Sequence, residues 1–130
     1  MKVADTIQSG DWKGEKHVPV IEAPEKVKAG EAFEVTLSVG KEIPHPNTTE
    51  HHIKWIQLLF KPEGGKFAYE VAKVRFEVHG ESTEGPNQGP AHAEPCATVK
   101  VKLSKPGTFL ALSYCNIHGF WESERPVSVE

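Results

Sequence analysis

Phe33-Glu34-Val35-Thr36-Leu37-Ser38-Val39 places apolar side chains at every second position, with Glu, Thr and Ser between them. Successive residues of a strand face opposite sides, so this alternation predicts a strand with one face buried and the other in water. The pattern returns at Val74, Phe76 and Val78 against Arg75, Glu77 and His79, and again at Val99, Val101 and Leu103 against Lys100, Lys102 and Ser104. Ile53 to Phe60 and Thr108 to Tyr114 are more continuously apolar, which predicts strands covered on both faces. With Val18 to Glu22 and a short final strand at Val127 to Val129, the strands number about seven.

The 10 prolines and 11 glycines interrupt the chain too often for an amphipathic helix of ordinary length, so helices are expected to be single turns. Turn clusters such as Lys61-Pro62-Glu63-Gly64-Gly65 and Lys105-Pro106-Gly107 separate the strands. The expected fold is all-β: an immunoglobulin-like, seven-stranded antiparallel sandwich or barrel with short helical turns. A chain of 130 residues reads as one domain, residues 1–130, long enough to build a core without covalent staples. Lys41 to Glu50 and Gly80 to Pro95 read as its two long loops.

With 15 Lys and Arg against 18 Asp and Glu, the net charge is −3. That balance argues against a general nucleic-acid binder, which needs a basic face to displace phosphate counterions. No run of apolar residues is long enough to span a membrane, and Met1 to Gly10 carries no apolar stretch of the signal-peptide kind. The expected location is the cytoplasm, where thiols stay reduced. Cys96 and Cys115 are then free to be judged by their neighbours as metal ligands or catalytic groups.

Three short segments concentrate borderline and soft ligands: Glu15-Lys16-His17, His45-Pro46-Asn47-Thr48-Thr49-Glu50-His51-His52, and Cys115-Asn116-Ile117-His118. Cys115 and His118 are three apart with Gly119 next, a spacing at which a turn can bring a thiolate and an imidazole to one ion. His51 and His52 are adjacent at the entry to a strand, so only one of them is expected to face a common site. The donors are then His17, His45, one of that pair, His118 and Cys115. Structural zinc closes at four ligands, whereas five nitrogen and sulfur donors suit an iron of higher coordination with one place open. His79, His92 and Cys96 fall outside these segments and read as structural, as do Trp12 and Trp55.

Glu15-Lys16-His17-Val18-Pro19, His45-Pro46-Asn47-Thr48-Thr49-Glu50-His51 and Cys115-Asn116-Ile117-His118-Gly119 together resemble the signature segments of the superoxide reductases, in their one-iron, neelaredoxin-like form. The resemblance implies one mononuclear non-haem iron held by His17, His45, His51 and His118, with Cys115 axial, and so selects His51 over His52. It implies reduction of superoxide by one electron to hydrogen peroxide, with rubredoxin or a similar small carrier as electron donor and a homotetramer as the assembly. It also assigns two catalytic residues: Lys16, to draw the anion in and hydrogen-bond the bound product, and Glu15, to coordinate the ferric resting state in the sixth position. Backbone donors around Asn116 to His118 are expected at the sulfur, and Trp121 is expected to shield the site.

Two other activities share parts of this pattern. Superoxide dismutation would use the same centre and differ only in how the iron is recycled. A cupredoxin-like electron carrier also places Cys-x-x-His after a late strand, but its usual axial Met is missing, since Met1 is the only methionine. A non-enzymatic immunoglobulin-like binding module would leave the histidines incidental.

Overall fold

The computed structural model describes every residue from Met1 to Glu130. A single 3-10 turn at Val3–Thr6 precedes nine strands: β1 (Ile7–Gln8), β2 (Val20–Glu22), β3 (Lys26–Val27), β4 (Phe33–Ser38), β5 (Ile53–Pro62), β6 (Tyr69–Arg75), β7 (Cys96–Val101), β8 (Gly107–Cys115) and β9 (Gly119–Val129). The larger sheet runs β1-β9-β8-β5-β6 with β3 also on β9, and the smaller runs β2-β4-β7. Val35 and Leu37 of the smaller sheet meet Ile56, Leu58, Phe109 and Ala111 of the larger in a core almost closed to water. Burying each of the larger side chains contributes about 1.5–3 kcal/mol. The architecture is the immunoglobulin-like β-sandwich that the alternation predicts, and no helix is long and apolar enough to cross a membrane.

All pairings among the seven longer strands are antiparallel. The two additional strands, β1 and β3, have two residues each and pair with β9 in parallel, too short to show any alternation. Three boundaries differ from expectation. The strand expected at Val74 to His79 lies earlier, at Tyr69–Arg75, and that expected at Val99 to Ser104 begins at Cys96. Phe76 and Leu103 are buried but lie beyond the ladders, so the apolar rhythm there reports burial rather than strand pairing. The last strand is Gly119–Val129 rather than three residues. Its inward positions include Ser123 and Arg125, whose side chains donate to the carbonyls of Pro19 (2.6 Å) and Ala23 (3.0 Å from Nε), so the pattern shows no apolar alternation.

Ile53–Pro62 and Gly107–Cys115 bury one face fully and the other by half. Trp55, Tyr114 and Phe120 stack in a row across that second face, with Lys73 over Trp55.

Candidate metal centre

Three chain segments meet at one end of the sandwich. The β8–β9 hairpin turns through Asn116, Ile117 and His118, and Cys115 pairs with Gly119 across it. Gly119 has φ +80°, the left-handed conformation that closes a three-residue hairpin loop and that a side chain would disfavour. The turn returns His118 to Cys115, whose sulfur accepts the His118 backbone N–H at 3.4 Å. Across the sheet Cys115 pairs with Ile53, so the segment ending in His51 and His52 enters β5 beside the hairpin. Farther back in that segment, His45 packs where Gly40 has φ +87°; a Cβ on Gly40 would come within 2.7 Å of the His45 backbone nitrogen. His17 precedes β2 and is anchored by the Ser113 hydroxyl, which donates to its carbonyl at 3.1 Å.

The imidazoles of His17, His45, His51 and His118 close into a ring. Neighbouring centroids lie 4.9 Å (His17–His45), 4.8 Å (His45–His51), 5.0 Å (His51–His118) and 4.8 Å (His118–His17) apart, with the planes steeply tilted. Hydrogen bonds on the outer nitrogens decide which atoms face inward. His17 Nδ1 donates to Glu15 Oε1 (2.6 Å) and His45 Nδ1 to the Pro46 carbonyl (2.6 Å), which leaves each Nε2 with its lone pair. Nε2 of His45 and of His51 are buried with no hydrogen-bond partner. Each such group costs on the order of 1–3 kcal/mol unless something satisfies it. His17 Nε2 and His118 Nδ1 approach to 3.2 Å, close to the spacing of two nitrogens bound at right angles to one ion through bonds of about 2.1 Å.

The sulfur of Cys115 lies 3.9 Å from His118 Nδ1, and it and the ligand atoms of His17, His45 and His51 all lie within 4.8 Å of one another. Cys115 is fully buried and His118 is exposed, so the sulfur lies on the core side. Five convergent donors, two of them orphaned nitrogens, fit a single transition-metal ion. With His118 counted, they exceed the four donors of a closed zinc site and the two histidines of a copper site.

Burial and the neighbouring imidazoles favour the neutral form of His45 and His51. Desolvation pushes His45 down to about 4, with His17, His51 and Lys16 acting in the same direction. His51 is lowered first by desolvation, then by the charges of His118, His17 and Lys16. The lone pairs of His45 and His51 are therefore free at neutral pH. Lys16 is half-buried, and its charge acts on this cluster.

Glu15, which the resemblance assigns to the sixth position of the ferric site, is here paired with His17. Its Oε1 accepts both the backbone N–H of His17 (2.8 Å) and the outer Nδ1–H, so the carboxylate lies behind the ring. Burial pushes its carboxyl up, but the hydrogen bonds from His17 and the charges of His17 and Lys16 outweigh that and hold it below the ordinary value. Trp121 stacks on His17 at 4.9 Å and 14°, and its indole donates to the His118 carbonyl at 3.1 Å, tying two members of the ring together. His52 is outside the ring, stacked on buried His79. His92 and Cys96 are exposed and outside it as well. The side chains of Asn116 and Ser113, which hold these segments, carry no local sequence signal that separates them from ordinary turn and strand residues.

The desulfoferrodoxin family pattern matches residues 9–124. The chain is 53% identical over its whole length to the neelaredoxin of Megalodesulfovibrio gigas, of which it covers 100%. It is 57% identical over 94% of its length to the superoxide reductase of Pyrococcus furiosus, covering 96% of that protein. The solved structure of the superoxide reductase (neelaredoxin) from Archaeoglobus fulgidus in the reduced form superposes with a TM-score of 0.88 at 53% identity, over 95% of this chain and 98% of that one.

Proposed function

The chain belongs to the desulfoferrodoxin family, and we propose that it is a superoxide reductase of the one-iron, neelaredoxin-like form. The observation that carries this reading is the closed ring of four imidazoles around unpartnered nitrogens, with one buried thiol against it. Nε2 of His17, His45 and His51, Nδ1 of His118 and Sγ of Cys115 would hold the metal. A single iron bound there would supply the electron that reduces superoxide, and its thiolate ligand would tune that electron's release.

The protein residues bring in the anion and supply protons. Superoxide plus one electron and two protons gives hydrogen peroxide. Lys16, half-buried beside the ring, attracts the anion and holds a proton at its Nζ where charge develops. The His118 N–H on the Cys115 sulfur spreads the thiolate charge. Glu15 fixes the orientation and tautomer of His17. Its carboxylate would be the further group to hold the ion in the oxidised protein.

All 130 residues act as one iron-binding domain. The enzyme works in the cytoplasm, is recharged by rubredoxin or a similar small carrier, and assembles as a homotetramer. The half-covered aromatic row of Trp55, Tyr114 and Phe120 supports an assembled state, and the exposed hairpin tip at Ile117 supports electron entry beside the ring.

Iron analysis with visible spectra before and after ascorbate, on the wild type and on Cys115→Ser, tests the proposal. The expected results are one iron per chain and a sulfur-to-iron charge-transfer band in the oxidised protein that the substitution abolishes. Superoxide should be consumed in step with added reductant and without oxygen release, which separates reduction from dismutation. A colourless protein holding stoichiometric zinc would refute it.

A further inference from the structure

Donors that would share one ion need a fixed separation, yet His51 and Cys115 come from segments far apart in the chain. The regular ladder does not secure them. Pairing of β5 with β8 starts only at Ile53 opposite Cys115 and is irregular between Ile53 and Trp55, leaving Glu50 to His52 outside the strand.

Asn116 bridges that gap. Its Nδ2 donates to the Glu50 carbonyl at 2.8 Å, and its Oδ1 accepts the His52 backbone N–H at 2.9 Å. Its own backbone N–H donates to the His52 carbonyl at 3.2 Å. Glu50 and His52 are the two chain neighbours of His51, so one amide grips the backbone on both sides of that histidine while joined covalently to Cys115.

We propose that Asn116 is a positioning residue that sets the distance between the Cys115 sulfur and the His51 ring, and through it the metal affinity and the sulfur–iron interaction. The proposal rests on the iron-site reading above. Asn116 acts only through its two neighbours.

A second clamp on the same loop, one step earlier at Thr49 and Glu50, provides the control. Asn87, with φ +64°, accepts the Thr49 N–H at 2.8 Å and donates to the Glu50 carboxylate at 3.0 Å, but makes no bond to the Cys115 hairpin. Losing that clamp loosens the loop without touching the link to sulfur. Asn87→Gly tolerates the left-handed backbone and removes only the side chain.

The test compares iron-loaded wild type, Asn116→Ala, Asn116→Asp and Asn87→Gly, reading the energy of the charge-transfer band and the cobalt(II) affinity of each apoprotein by chelator competition. Asn116→Ala should bind cobalt about 10- to 100-fold more weakly, the usual cost of losing a ligand's supporting partner, with a displaced band in the iron form. Asn116→Asp keeps the acceptor for His52 but sets an oxygen against the Glu50 carbonyl, and should shift both readouts in the same direction. Asn87→Gly should lower the Tm and leave the band in place.

Wild-type affinity and band in both Asn116 variants would overturn the positioning role, as would a band shift in Asn87→Gly equal to theirs. Failure of both Asn116 variants to fold would also overturn it, in favour of a purely structural role. A wild type lacking the band altogether would instead overturn the iron reading, and this inference with it.

Discussion

His51 and His52 are adjacent, yet they belong to two groups of histidines built on different geometry. His51 lies in the ring, where neighbouring imidazoles meet at a steep angle and inner nitrogens lack partners. His52 lies flat against His79, centroids 3.5 Å apart and planes within 4°, with Nδ1 on the Thr48 carbonyl at 2.9 Å. Lone pairs lie in the plane of an imidazole, so parallel rings direct them past one another and edge-on rings direct them to one point. Buried His79 also has an unpartnered Nε2, but no group of three metal-binding side chains forms around it. Convergence of lone pairs, rather than the number of histidines, separates a metal site from a packed pair.

Exchanging the two neighbours tests this contrast most severely. His51→Ala removes an inward donor and should lose stoichiometric iron and the charge-transfer band, as Cys115→Ser should lose the band. His52→Ala should keep both and lose only the stack and one hydrogen bond, about 1–3 kcal/mol of stability by thermal or urea unfolding. Retained iron in His51→Ala with loss in His52→Ala would invert the assignment.

Lys16→Ala gives the next largest effect. Steering by a nearby cation raises encounter rates by roughly 10-fold or more and weakens with salt. Superoxide capture followed by pulse radiolysis should slow in Lys16→Ala and lose most of its ionic-strength dependence. Equal rates in variant and wild type at every ionic strength would remove Lys16 from the mechanism.

Acid titration of the apoprotein separates the groups more gently. His45 sits at about 4 in the folded chain against 6.5 ordinarily. Between those values the unfolded chain takes up the proton and the folded one does not, so stability is lost as pH falls from about 6.5 towards 4 and levels off below. His51 is displaced in the same direction for the same reason, desolvation first. Bound metal should move the onset to lower pH, since it occupies the same lone pairs. Parallel unfolding curves for apo and loaded protein would contradict neutral, metal-seeking nitrogens.

Alternation made the sandwich legible because the core positions of β4, β5 and β8 are apolar apart from Ser38 and Ser113. It failed along β9, whose inward Ser123 and Arg125 satisfy backbone carbonyls of a distant segment. The three donor segments were equally legible, as soft ligands at short spacing. Strand parity led to the expectation that only one of His51 and His52 faces the site, and their order fell to resemblance; both lie just before β5, so the turn rather than strand parity separates them. What stayed hidden is tertiary: Asn116 grips residues 64 and 66 positions away, and Ser113 holds a carbonyl 96 positions away. No local pattern encodes such partners.

Glutamate sharpens the comparison last, because each group carries one in the same arrangement. Glu15 accepts the backbone N–H of His17 at 2.8 Å, and Glu81 that of His79 at 2.7 Å. Only the contact with the ring differs: Nδ1 to carboxylate is 2.6 Å at His17 and 3.7 Å at His79. The short bond orients His17 towards the common point, and the long one leaves His79 governed by its stack. If Glu15 binds the ferric ion, Glu15→Ala should change the ferric spectrum, leave the ferrous one close to wild type and preserve superoxide capture. If it acts solely as the partner of His17, both oxidation states should shift together, since the loss of that hydrogen bond alters the same ligand in each. Glu81→Ala should alter neither spectrum. A change there would mean that the stacked pair communicates with the ring and that the two groups are one.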